Sequence, residues 1–172
     1  AMSMGQAGYI DFGFLGGAQI DMYGNLNTTV LGPHDAPKVR LPGSGGANDV
    51  GSLCHRTILI MRQDKRKFAE KMDFITTPGY LQGGNSRYDA GLPAGTGPYR
   101  VISQLAIFDF EPVSKRMRLY SVHPGVKVDD VLANSGFEIL VPDKVLTTEP
   151  PTTRELEVLQ HIDPVGMVIA KR

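Results

Sequence analysis

Apolar positions in this chain recur with two different periods, and the two alternate along its length. Thr57-Ile58-Leu59-Ile60-Met61 is continuously apolar, the pattern of a strand buried on both faces. Tyr9-Ile10-Asp11-Phe12-Gly13-Phe14-Leu15 predicts an earlier strand, and Tyr99 to Phe110 a long β-rich run. Met117 to Val122 alternates apolar with polar residues, as a half-buried strand does. Pro112 and Ser114 supply turn chemistry between these last two, which predicts a hairpin around Glu111 to Arg116. Phe137 to Val141 reads as a further strand.

Helical spacing lies between and beyond these runs. Ala1 to Ala7 predicts the last turns of a helix, stopped by Gly8 in a left-handed conformation. A chain that opens on a helix end is expected to lack its first part; the alternative is a vector-derived Ala1 before a true Met2. Lys65 to Met72 predicts a short charged helix with Phe68 and Met72 on one side. Val128 to Asn134 predicts another, with Gly136 as its stop. The last helix is announced by Pro151 and a capping box, Thr152 with Glu155 three residues on, and carries Leu156, Leu159 and Ile162. Tyr80 to Pro98 is the one long irregular stretch, rich in glycine, and is either disordered or an ordered loop beside a site. Strands alternating with helices predict an α/β fold, an open and mostly parallel sheet with flanking helices, formed as one domain over residues 1–172.

Composition narrows the function classes. Equal acidic and basic counts give a formal charge of +0 with no Lys/Arg-rich run, so neither a nucleic-acid nor a membrane-surface partner is expected. No apolar run approaches the roughly 18 residues of a membrane span. Cys54 is the single cysteine, which excludes an internal disulfide and is consistent with a reducing cytoplasm. His34, His55 and His161 lack metal-ligand spacing, so no metal site is expected.

The chemistry concentrates in Leu41-Pro42-Gly43-Ser44-Gly45-Gly46-Ala47-Asn48-Asp49-Val50. Its glycines lack the side chains that keep ligands from backbone amides, and they can aim successive N–H groups at one point. Gly43, Gly45, Gly46, Ala47 and Asn48 are therefore candidates to hold an oxyanion or other anion. A plain surface turn is the competing reading, since Gly with Ser is common in turns.

Upstream of this loop stands Gly13-Phe14-Leu15-Gly16-Gly17-Ala18-Gln19-Ile20-Asp21, continuing into Met22 to Thr29. Downstream come Phe108-Asp109-Phe110-Glu111-Pro112, His123-Pro124-Gly125-Val126 and Val131 to Glu138. In this order and spacing the chain resembles the β subunit of family I CoA-transferases, the group of glutaconate and 3-oxoacid CoA-transferases. The resemblance spans nearly the whole chain. It implies transfer of coenzyme A between a CoA thioester and a short or dicarboxylic acid, with the thioester as substrate and no separate cofactor. It also implies a CoA-transferase α subunit as partner in an α2β2 assembly, and it puts Gln19 and Asn27 near bound substrate. The family's nucleophile is a glutamate in a Ser-Glu-x-Gly-like motif. None of Glu70, Glu111, Glu138, Glu149, Glu155 and Glu157 matches it, so no catalytic residue is assigned in this chain and the glutamate is expected in an absent N-terminal segment. A same-fold decarboxylase or ring-opening hydrolase, or a non-catalytic assembly half, would also fit.

Other polar residues carry two readings each. Cys54, next to His55 and Arg56, could be a nucleophile or a small core residue. His123 could act in a site or be a satisfied loop histidine. Asn25, beside Gly24 and Asp21, reads as turn chemistry. Lys38 and Arg40 could meet a CoA phosphate or be a solvated pair.

Overall fold

A computed structural model of the protein describes residues 2–167. In chain order the elements are α1 (Met2–Gln6), β1 (Phe12–Leu15), β2 (Gln19–Ile20), β3 (Leu26–Asn27), β4 (Val30–Leu31), β5 (Val39–Arg40), α2 (Ala47–Leu53) and β6 (Arg56–Ile60). There follow α3 (Ser86–Asp89), β7 (Pro98–Ile102), β8 (Ala106–Phe110), β9 (Met117–Val122), α4 (Val128–Ala133), β10 (Leu146–Thr147) and α5 (Thr153–Ile162). Six strands form one sheet in the order β1-β6-β7-β8-β9-β10. β1, β6 and β7 are parallel, β7 to β9 form an antiparallel meander, and β10 returns parallel to β9. Only β8 runs against the other five, so the open, mostly parallel α/β sheet expected from the sequence is what forms. Two small antiparallel pairs, β2-β3 and β4-β5, sit apart from it.

The first helix ends as its glycine predicts. Tyr9 N–H reaches Met4 C=O and Gly8 N–H reaches Gly5 C=O, both at 3.0 Å, with Gly8 at φ +76°. This pair of bonds is a Schellman motif. It holds Tyr9 outside the strand, which begins only at Phe12. The run from Tyr99 to Phe110 divides into two strands, because Ser103 turns the chain: its Oγ accepts from Leu105 and Ala106 N–H, both at 3.1 Å. Lys65 to Met72 is not a helix. Asp64 closes a tight turn there, and Lys67 C=O and Ala69 N–H bond across to Ile20, which drives Phe68 fully into the core. Phe137 to Val141 does not form a strand either. It touches the sheet by one bridge, Leu140 beside Arg118, enough to bury Phe137 and Ile139.

The core fills one face of the sheet only. Leu59, Val101, Phe108, Met117 and Leu119 project there against Ile20, Leu26, Phe68, Val131 and Phe137. The opposite face is open, which corrects the expectation that Thr57 to Met61 is covered on both sides: Ile60 is 52% exposed and Phe14 65%. Arg56 and Arg100 lie over the Tyr99 ring at 5.0 and 4.2 Å, and Arg100 also over Tyr120 at 4.5 Å. Arg118 on β9 and Asp109 on β8 form a bidentate pair at 2.8 and 2.9 Å. α5 carries its predicted capping box, Glu155 N–H to Thr152 Oγ1 at 3.2 Å and Thr152 N–H to Glu155 Oε2 at 2.7 Å. None of its residues is buried, Leu156, Leu159 and Ile162 included.

The turn before β3 is tied by Asn25, which is fully buried. Its Oδ1 accepts from Gly79 and Leu81 N–H at 2.7 and 3.1 Å, and its Nδ2 donates to Asp21 Oδ2 and Leu81 C=O at 2.7 and 2.8 Å. Turn chemistry is thus its role, extended to a segment more than fifty residues away. Burial pushes the Asp21 carboxyl above its ordinary range, against the Asn25 bonds that pull it down. Gly79 is obligatory beside it: a Cβ there would lie 2.3 Å from the Gly24 carbonyl carbon.

Replacing Asn25 with Ala strands the buried Gly79 N–H and the half-buried Leu81 N–H, and a buried unpaired group costs about 1–3 kcal/mol. Asn25→Ala is therefore expected to lose about 3 kcal/mol in urea unfolding, and a loss below about 1 kcal/mol would contradict this role. The β8–β9 turn offers a pH test. The Ser114 side chain and the Ser114 and Val113 N–H groups hold the Glu111 carboxyl down to about 2 from 4.5. A depressed carboxylate adds stability above its unfolded value and loses it as pH falls through the folded one. The thermal midpoint of Glu111→Gln should thus lie below that of the parent at pH 7, and the gap should close between about pH 4.5 and 2. A gap independent of pH would contradict it.

Candidate functional site

The glycine loop leads directly into α2. Gly43 and Gly45 adopt φ of +90° and +50°, and a Cβ on either would meet open space. Their glycine identity is therefore a demand of backbone conformation, not of crowding. Among the loop's amides already committed, Gly43 N–H donates to Thr28 C=O at 2.9 Å and Ala47 N–H to Ser44 C=O at 2.8 Å. The backbone N–H of Asn48 leans on Ser44 Oγ at 3.3 Å. Ser44, Gly45 and Gly46 keep N–H groups without an acceptor among the described residues. The end of the Met2 side chain lies over Gly46.

A polar lattice fixes this loop from below. Thr28 Oγ1 donates to Gly43 C=O at 2.9 Å, and Thr28 N–H to Thr76 Oγ1 at 2.8 Å. The Asn48 side chain donates to Thr76 C=O at 3.1 Å instead of pointing at the loop's amides. The structure so separates the five sequence candidates: Gly45 and Gly46 keep unbonded N–H groups, and Gly43, Ala47 and Asn48 build the frame.

Gln19 and Asn27 stand side by side across the β2-β3 pair, both buried. Asn27 Nδ2 donates to Gln19 Oε1 at 2.6 Å and to Val30 C=O at 2.7 Å, and Gln19 Nε2 donates to Asp73 Oδ2 at 2.9 Å. These bonds join β2, β3 and the Asp73 segment. Gln19 also lines a cleft of about 440 Å³ with Lys38, Asp64, Arg66, Lys67 and Asp73. Arg40 lies in the two-residue strand β5, exposed.

His123 is held at both ring nitrogens, Nε2 by Ser103 C=O at 2.9 Å and Nδ1 by Thr148 Oγ1 at 3.1 Å, the contacts of a satisfied loop histidine. Cys54 is buried under Gly13, and burial pushes its thiol up, away from the reactive thiolate. It is a core residue. Among the glutamates, Glu111 is bound within its turn, Glu138 pairs with Arg116 at 2.8 Å, and Glu155 caps α5. No group of metal-ligating side chains occurs among the described residues, and no helix there is long and apolar enough to cross a membrane.

One residue that sequence reading passed over is Arg87. It sits 4% exposed inside the glycine-rich stretch from Tyr80 to Pro98, which is ordered around it. Nη1 donates to Pro78 and Gly79 C=O at 3.1 and 2.8 Å, Nη2 to Gly51 and Ser52 C=O at 2.8 and 3.1 Å, and Nη2 and Nε to Thr96 Oγ1. Burial with no carboxylate partner lowers this guanidinium to about 10, partly offset by the nearby Tyr80. The available signal was a lone basic residue in a long glycine-rich segment.

Known proteins are similar to this chain in sequence and in fold. The coenzyme A transferase family model matches residues 1–134. A 3-oxoadipate CoA-transferase subunit from Pseudomonas knackmussii is 43% identical over 158 residues, covering 92% of this chain and 60% of that subunit. The IpdB subunit of a cholesterol ring-cleaving hydrolase from Mycobacterium tuberculosis is 34% identical, covering 89% of this chain and 60% of its own length. The crystal structure of glutaconate coenzyme A-transferase from Acidaminococcus fermentans superposes with a TM-score of 0.88 at 38% identity, covering 94% of this chain and 62% of that one. The chain thus spans about 60% of the length of the curated relatives it matches. With residues 1–134, more than half its length, matched by the family model, the chain belongs to the coenzyme A transferases.

Proposed function

We propose that this chain is part of a β-type subunit of a CoA-transferase, which moves coenzyme A between an acyl-CoA and a short or dicarboxylic acid. The observation that carries this reading is the pair of unbonded amides at Gly45 and Gly46 in a framed loop, the first beside open space and the second beneath only the flexible end of Met2. Acyl transfer from a thioester passes through tetrahedral intermediates whose oxyanion needs such donors, fixed before charge develops. Similarity to a 3-oxoadipate CoA-transferase subunit at 43% identity supports transfer over hydrolysis as the outcome.

The attacking carboxylate is assigned to polypeptide outside these 172 residues. Glu111, Glu138 and Glu155 are engaged in a turn, an ion pair and a cap, which leaves them poor nucleophiles. A CoA-transferase α subunit completes the active site, in an α2β2 assembly; the open face of the sheet, with Phe14 and Ile60 exposed on it, is consistent with contacts of this kind. No cofactor beyond the CoA thioester substrate enters the scheme. The buried free thiol of Cys54 suits a reducing cytoplasm, where we place the enzyme.

Two measurements test this. Gly46 has an ordinary φ of −93°, and only the flexible end of Met2 need move to admit a side chain. In the assembled enzyme, Gly46→Val is expected to cut turnover about a hundredfold or more with little change in thermal midpoint, the scale of one lost oxyanion donor. Near-normal transfer by this variant refutes the role of the loop, and release of free acid and CoA by the parent, without transfer, shows a hydrolase instead. Separately, the 172-residue chain mixed with acyl-CoA and borohydride should yield no reduced glutamate by mass spectrometry. Modification of Glu70, Glu111 or Glu138 would overturn the assignment of the nucleophile.

A further inference from the structure

α2 is a helix of seven residues with no side-chain cap at its start, so little within it holds its direction. Its last turn is instead gripped from outside. Arg87 Nη2 lies 2.8 Å from Gly51 C=O and 3.1 Å from Ser52 C=O, carbonyls at the negative end of the helix. The same guanidinium binds Pro78 and Gly79 C=O, on the strap whose Thr76 and Thr77 lie against the loop lattice and α2. Thr96 Oγ1 fixes its third side, and is itself tied to Pro93 C=O at 2.7 Å. Thus one planar group connects the end of α2, the strap beside the glycine loop, and the long loop before β7. Gly51 allows this close approach, since a Cβ there would lie 2.2 Å from Thr77 Cγ2.

We infer that Arg87 is a positioning residue for the glycine loop: by anchoring the far end of α2 to the 78–79 strap, it sets where the Gly45 and Gly46 amides point. This rests on the reading of those amides as oxyanion donors. Every N–H of Arg87 is used in the grip, so it acts through α2 and not by touching substrate. Only a planar fork can reach carbonyls on separate segments at once, and a lysine ammonium cannot replace it. A misplacement of about 1 Å at reacting groups costs on the order of a hundredfold in rate.

The test uses Arg87→Lys and Arg87→Gly. In the assembled enzyme, Arg87→Lys should lower kcat by about tenfold to a hundredfold while KM for acyl-CoA changes less than about threefold. By hydrogen exchange on the chain itself, both variants should lose protection over Ala47 to Leu53 and keep it in β6 to β9. Added ethylguanidinium should restore that protection, and turnover, in Arg87→Gly, whereas ethylammonium should not. Uniform loss of protection across the sheet, or absence of guanidinium-specific rescue, would make Arg87 a general stabiliser and overturn the inference. Full turnover by Arg87→Lys overturns it as well. The exchange arm does not depend on the reaction, so an enzyme that performs no CoA transfer would sink the functional reading while the anchoring of α2 is still judged.

Discussion

A buried cation with no carboxylate beside it organises this protein. Arg87 is charged at neutral pH, and an ionised group out of water is tolerated only when its donors are all met. Five donors in a rigid fork require acceptors from several directions, and the backbone supplies them: the carbonyls ending α2, the 78–79 strap, and Thr96 from the following loop. Satisfying the guanidinium therefore brings together three segments that have little apolar surface of their own. The long glycine-rich stretch is ordered for that reason.

From there the constraint passes to the site. The strap that Arg87 grips also carries Thr76, which accepts the Thr28 amide and, through its carbonyl, the Asn48 side chain. Asn25 holds the other side of the same strap through Gly79 and Leu81. Glycine at 43 and 45 then turns the chain through left-handed conformations, which spends the Gly43 and Ala47 amides internally and leaves those of Ser44, Gly45 and Gly46 unbonded. Rigidity and openness thus arise together. A framed backbone lined by no side chain of its own can meet an anion with little reorganisation, the condition under which such donors stabilise developing charge.

Sequence pattern revealed the parts of this design that depend on local chemistry. The Schellman end of α1, the hairpin at Glu111, and the Thr152 capping box all follow from residues within a few positions of one another. Where distant contacts decide, it misled. Phe68 and Met72 have helical spacing, yet Asp64 and the pairing with Ile20 impose a turn and bury Phe68. Phe137 and Ile139 alternate like a strand but reach the sheet by one bridge only. The apolar run at Thr57 to Met61 suggested two covered faces, although a periodicity reports surface to be buried and not what buries it. The glycine loop was legible as a ligand-facing element. Which of its amides are free was not, because Thr28 and Thr76 approach it from remote parts of the chain.

The central claim is that Gly45 and Gly46, two of the three loop amides left unbonded, and not the whole loop, meet the oxyanion. Amide NMR of the isotope-labelled chain in the assembled enzyme, titrated with a non-reactive thioester analogue carrying a tetrahedral oxyanion mimic, tests it most directly. Large downfield shifts at Gly45 and Gly46 are expected, with Gly43 and Ala47 nearly unmoved because their N–H groups already bond to Thr28 and Ser44. Saturable binding that leaves Gly45 and Gly46 unshifted would contradict it.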